Sequence, residues 1–130
     1  LPRINLLVDA YNLVSVTHVV PAGAFDLDAV DGDIVVRFAR ADDEFVPLGE
    51  PDTVEQPHDG EVVYADAGGV LTRHWNHRDS DRTKVTPASR HVLVMLEAVA
   101  AAQHAAVDAA ADDLADLLAP HAKAVTLRYL

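Results

Sequence analysis

No cysteine occurs in these 130 residues. This removes a disulfide framework, thiolate zinc sites and cysteine nucleophiles, and leaves His, Asp, Ser and Thr as the reactive inventory. Lysine is nearly missing as well: Lys84 and Lys123 stand against sixteen Asp and five Glu, and the formal charge is −11. A surface of that sign repels polyanions at long range and argues against a general nucleic-acid coat protein, although a local basic patch still works within a Debye length of about 8 Å. An Asp-rich, Lys-poor balance also suits a salty cytosol, so the charge speaks of solvent as well as of partner. No window of about 18 uncharged apolar residues is present, and Leu6-Leu7-Val8 is interrupted at once by Asp9. Neither a spanning helix nor a signal peptide is written, and the expectation is a soluble, cytoplasmic protein with no membrane partner. Leu1 in place of a start methionine suggests a processed chain or a fragment with N-terminal residues missing. No serine has the flanking glycines of a nucleophile elbow, and Gly68-Gly69 reads as a hairpin turn rather than a phosphate loop before a helix.

What is present has the length for one compact domain, burying about two-thirds of its unfolded surface, so residues 1–130 are expected to form a single domain. Ile4, Leu7, Val8, Tyr11 and Val14 recur at three- and four-residue steps, predicting an amphipathic helix over 4–16. Pro21 and Gly23 break it, 24–28 reads as extended, and Asp31-Gly32-Asp33 as a turn. β-branched runs at 34–39, 44–48 and 61–65 predict strands, with Pro47 restricting the second to an edge or strand end. Residues 49–60 carry two prolines and several charges and read as a loop, and 66–69 turns into a returning hairpin strand at 70–74. Thr86-Pro87 reads as a helix N-cap followed by proline at the first helical position, predicting a helix over 88–103 with Val92, Met95, Leu96 and Val99 on one side. A further helix over 105–118 stops at Pro120, and 124–129 reads as a last strand. The predicted fold class is α+β: a mixed or antiparallel sheet packed against about three helices.

Five of the ten basic residues, and the one tryptophan, lie within Arg73–Arg90. Arginine forks suit phosphate or carboxylate, Trp75 offers a stacking face, and Asp79 and Asp81 could orient a water or an ammonium group. A solvated loop of alternating charges has the same composition. Trp75 could equally plug the core, and Arg82 could simply pair with Asp79 for at most about 1 kcal/mol. His74 and His77, three apart beside the two aspartates, invite a metal reading, but no third histidine lies at ligand spacing and no metal or other cofactor is expected.

Ile4-Asn5-Leu6-Leu7-Val8-Asp9-Ala10-Tyr11-Asn12-Leu13-Val14, followed by Pro21-Ala22-Gly23-Ala24-Phe25-Asp26, resembles the opening of the tRNA-binding and editing domain in the β subunit of phenylalanyl-tRNA synthetase. The similarity continues through Gly32–Arg37, Val62–Asp66 and Gly69 to Leu96-Glu97-Ala98, covering about residues 3 to 100. Residues 73–86, with Trp75-Asn76-His77-Arg78 and Asp81-Arg82-Thr83-Lys84, are similar instead to free-standing relatives of that domain. The resemblance implies hydrolysis of the ester of a mischarged tRNA, acting in trans, with the tRNA acceptor end or its aminoacyl group as partner. In the synthetase family the pocket includes a Thr-Asn pair on the first helix and a histidine before Ala-Phe-Asp. The matching positions here are Tyr11, Asn12 and Gly23, of which only Asn12 is kept.

An aminoacyl ester is already activated, so a placed water and a stabilised oxyanion suffice. On this reading Asn12, Asp79 and Asp81 are the catalytic candidates, and Tyr11, Gly23, Trp75, Asn76, Arg78, Arg82 and Thr83 form the binding set. Arg78 and Arg82 would meet the terminal phosphates, and Trp75 would stack on the terminal adenine for roughly 1–3 kcal/mol. The alternatives are a non-catalytic module that binds tRNA or an amino acid, and a fragment of a larger phenylalanine-tRNA ligase-like protein.

Overall fold

The computed structural model describes residues 4–130; residue 3, where the resemblance begins, lies outside them. In chain order it holds α1 (Leu6–His18), β1 (Ala22–Asp26), β2 (Val35–Phe38), β3 (Val62–Asp66), β4 (Gly69–Arg73), β5 (Arg78–Asp79), β6 (Val92–Leu96) and α2 (His104–Leu118), with short 3-10 turns at Leu27–Ala29 and Ala101–Gln103. The class is α+β, as the pattern predicts. The chain divides into two compact units, one formed by the stretch up to Gly23 with Val94–Leu130, the other by Ala24–Leu93. The chain passes from one to the other within β1 and within β6, which pair as a two-stranded sheet.

In the first unit α1 starts where Asn5 caps it, its side chain accepting from Val8 N at 3.0 Å, and Asp9 in the first turn complements the helix dipole. Val14 of α1 packs with Val20 and with Ala110 and Leu114 of α2, and Tyr11, Val94 and Leu96 surround them. Each such aliphatic side chain contributes roughly 1.5–3 kcal/mol by leaving water. Ile4, expected on the buried face, is exposed.

The second unit is built on an antiparallel sheet of order β2-β3-β4-β5. Its core is Ala39, Phe45, Val63, Ala65 and Val70. Gly69, at φ +133°, starts β4 where a side chain would be strained, and a bulge falls between Tyr64 and Ala65. The expected 44–48 strand survives as two isolated bridges, Phe45 to Glu55 and Pro47 to Ser80, with proline at a margin as its missing N–H requires.

Two expectations are corrected. Residues 88–103 are not a helix: Val92–Leu96 is strand β6, and among the described residues the α-helices number two rather than about three. The run Val-Leu-Val-Met-Leu fits both periods, and packing chooses the strand, with Val94 and Leu96 directed at the helices and Met95 beside Gly23. Val99, needed for the helical stripe, is exposed. Thr86 does accept a local bond, from Ala88 N at 3.2 Å, but it closes a turn rather than opening a helix. Residues 124–129, expected as a strand, carry no regular structure.

Candidate functional site

The segment Arg73–Arg90 lies wholly in the second unit. β4 delivers Arg73 into a buried ionic cluster. Its Nε and Nη2 donate to Glu61 at 3.0 and 2.8 Å and its Nη1 to Glu55 at 2.6 Å. Arg78 grips the other side of Glu55 with two bonds of 2.7 and 3.0 Å. Both guanidinium groups lie over the Phe45 ring, 5.9 and 5.6 Å from its centroid, adding cation–π attraction to the pairing. The Arg73 guanidinium pulls the Glu61 carboxyl down to about 2.

Between these arginines the chain turns through His74 and Trp75, both at positive φ (50° and 67°), a conformation that costs L-residues roughly 1–2 kcal/mol each. The cluster holds the turn in place. Glu61 Oε1 accepts from His74 N at 2.9 Å, Val62 O from Trp75 N at 2.8 Å, and the buried Thr72 hydroxyl donates to the Trp75 carbonyl. Trp75 and Asn76 are half-buried.

The remaining candidates of this segment separate by environment. Asp79 Oδ1 is buried with no hydrogen-bond partner, and burial pushes its carboxyl up to about 6. Asp81, in contrast, is held below the usual range by Lys84 at 2.8 Å, and it also accepts from Gly49 N at 2.9 Å. Thr83 is buried, its hydroxyl 3.2 Å from that of Ser80. Arg82 does not pair with Asp79. It bonds Asp66 at 2.6 Å and the Ala29 carbonyl at 2.9 Å, and it crosses so close over Gly68 that a Cβ there would lie 3.1 Å from the guanidinium carbon. Arg78 and Arg82 are therefore both committed to carboxylates.

Tyr11, Asn12 and Gly23 lie in the first unit. Tyr11 packs against the helical core, Asn12 is half-buried on α1, and Gly23 is buried in β1, where an added Cβ would meet Met95 Cε at an ordinary 3.8 Å. The same unit holds a carboxyl that the residue pattern does not single out. Glu97 follows β6, donates its N–H to Pro21 O at 3.1 Å, and burial pushes its carboxyl up to about 7. The signal was there: Glu97 is the one charged residue between Val92 and Ala102. Reading that stretch as a helix with Val92, Met95, Leu96 and Val99 on one side gave Glu97 no role. Among the described residues no group of three His, Asp or Glu is placed to hold a metal, and no helix is long and apolar enough to cross a membrane.

Comparison with known proteins places this geometry. Residues 1–122 match the B3/4 domain family. The chain is 40% identical over 63 residues to the phenylalanine–tRNA ligase β subunit of Fusobacterium nucleatum subsp. nucleatum, covering 48% of this chain and 8% of that one. It is 38% identical over 68 residues to the β subunit of the same ligase from Cutibacterium acnes, covering 52% and 8%. It therefore spans about 8% of the length of these relatives. The solved N-terminal fragment of the phenylalanyl-tRNA synthetase β subunit from Pyrococcus horikoshii has the same fold, with a TM-score of 0.67 over 87% of this chain and 39% of that one, at 18% identity. The resemblance carried by the residues around Asn12 and Phe25 thus holds over nearly the whole length, and the chain belongs to the B3/4 domain family.

Proposed function

We propose that the chain hydrolyses the ester bond of mischarged tRNA, removing a wrongly attached amino acid. The observation that carries this reading is Glu97. A carboxyl with its pKa near 7, in a family found in tRNA ligase subunits, is poised to exchange a proton at neutral pH. Water adds to the ester carbonyl carbon while the Glu97 carboxylate takes its proton. The tetrahedral intermediate then expels the ribose oxygen, which takes that proton back from Glu97 to become the hydroxyl of the released tRNA and restores the carboxylate. Asn12 and the backbone at Gly23 hold the aminoacyl group and stabilise the oxyanion, a contribution that can reach 10²–10³ in rate for a single donor. Tyr11 shapes the amino-acid pocket from α1. Asp79, near neutral in its buried setting, is the second candidate acid or base.

Trp75 and Asn76 supply stacking and hydrogen bonding for the terminal base, and Asp81 and Thr83 support the loop that carries them. Phosphate contact through Arg78 and Arg82 requires exchange of their carboxylate partners, which is the specific observation favouring a second reading: a module that binds tRNA or an amino acid without turnover. Gly23, where the synthetase family has histidine, points the same way. Deacylation measured over a panel of mischarged tRNAs, with wild type, Asn12→Ala and Asp79→Ala, separates the two. Turnover of one or more substrates that falls in the variants supports the enzyme; intact tRNA binding with no turnover on any substrate establishes the module.

A further inference from the structure

The four-stranded sheet has an open edge. β2 occupies that edge, hydrogen-bonded to β3. Ala39 N donates to Glu61 O at 2.7 Å, in the register that sets Arg37 opposite Val63 and Val35 opposite Ala65. In an antiparallel ladder the backbone groups alternate sides, so 35, 37 and 39 turn theirs toward β3, while Ile34, Val36 and Phe38 direct theirs outward. The side chains of those three also share one face. Val36 is 55% and Phe38 68% exposed.

Edge strands are ordinarily guarded by an outward charge or a proline. Here the one charge of the strand is neutralised, because Arg37 is clamped on Asp43 by bonds of 2.6 and 2.7 Å. Its Nη1 also donates to the Phe38 carbonyl at 3.0 Å, whose second lone pair is left for a strand partner.

We infer that β2 pairs with β2 of a second copy of this chain, antiparallel about a two-fold axis at Val36. A two-fold perpendicular to the sheet keeps each side chain on its own face, and the register that uses all three outward-directed residues sets Val36 opposite Val36 and Ile34 opposite Phe38. All three outward-directed residues then enter hydrogen-bonded pairs, and every side-chain pair on that face is apolar. The charges flanking the strand are complementary in this register. Exposed Arg40 falls opposite Gly32, between the exposed Asp31 and Asp33, and the two-fold repeats that match at the other end. A register shifted by two residues sets Arg37 against Arg37 and loses one of the three pairs. So short a strand buries less than the about 1,000 Å² of a stable interface, so the association is weak and concentration-dependent.

The absence of cysteine makes the test clean. Val36→Cys places two thiols across a hydrogen-bonded pair with Cα atoms about 5.5 Å apart, within disulfide range. Val35→Cys, comparably exposed at 45% against 55%, places them about 8 Å apart on the other face, outside that range. Under mild oxidation of the folded chain, Val36→Cys should form the covalent dimer at least tenfold faster than Val35→Cys. Phe38→Lys or Arg40→Glu in the Val36→Cys background should slow it markedly, circular dichroism confirming that each variant is folded. Equal rates for the two cysteine variants, as random collision or another occupant of the edge would give, overturn the inference. So does a Val36→Cys rate indifferent to Phe38→Lys.

Discussion

Val19 leaves α1 at φ 55° and ψ 46°, a left-handed conformation that penalises a β-branched residue and favours glycine. It is 80% exposed, so Val19→Gly sacrifices little burial, and chemical denaturation should show stabilisation of about 0.5–1 kcal/mol. Asp79 acts in the opposite sense, as a buried carboxyl with an unpartnered oxygen. Its folded pKa of about 6 against an ordinary 3.8 means that its contribution is fully present below about pH 4 and is lost as pH rises through 6. Asp79→Asn should remove that slope and raise stability at pH 7.5 by about 1–2 kcal/mol. A variant no more stable than wild type at pH 7.5 contradicts the burial argument. At this scale the sequence was legible where chemistry is local, as in the turn that brings the chain to Gly69, though not at Asn5, which the predicted helix over 4–16 enclosed and which caps it instead. It was silent where burial decides: nothing in Arg78-Asp79-Ser80 distinguishes a buried carboxylate from a solvated one, and Asp81, two residues on, is held in the opposite state by Lys84.

Among the elements, β4 and its turn depend most on a single side chain. Arg73 is 5% exposed and neutralises Glu61, itself 5% exposed at the side chain. Arg73→Ala leaves that carboxylate buried without its cation and removes the support of the strained His74-Trp75 turn. The expected loss is roughly 3–5 kcal/mol by thermal or chemical unfolding, and a loss under 1 kcal/mol would show that the cluster is ornamental. The hairpin β3–β4 was legible because alternation and Gly68-Gly69 agree. β6 was not, because five consecutive apolar residues satisfy helical and strand periods alike, and the preceding Thr86-Pro87 imitates a helix start. That one misreading also left Glu97 unread, since it follows β6 and is half-buried there. The electrostatic anomaly at 73–90 was visible, but its meaning was not. Glu55 and Glu61, which neutralise Arg73 and Arg78, lie 12 to 23 residues away in sequence.

At the scale of the molecule, the charge of −11 and the commitment of Arg78 and Arg82 leave little cationic surface for extended nucleic acid. On the proposed function the RNA contact is confined to an acceptor end, with the chemistry at the half-buried Glu97 carboxyl rather than at an arginine cluster. Family and fold were legible from the first helix and the Ala24-Phe25-Asp26 strand. The proposed site was legible only in part, because Tyr11, Asn12 and Gly23 could be aligned while Glu97 required the strand to be seen. The most direct test is the single-turnover rate of deacylation on the best mischarged tRNA, wild type against Glu97→Gln, measured from pH 5.5 to 8.5. The expected result is a wild-type rate that rises through about pH 7 and levels off, and a variant slower by about 10²-fold or more whose thermal stability at pH 8 is no lower than that of wild type, because the buried charge is gone. Equal rates, or no hydrolysis by wild type on any substrate, would contradict it.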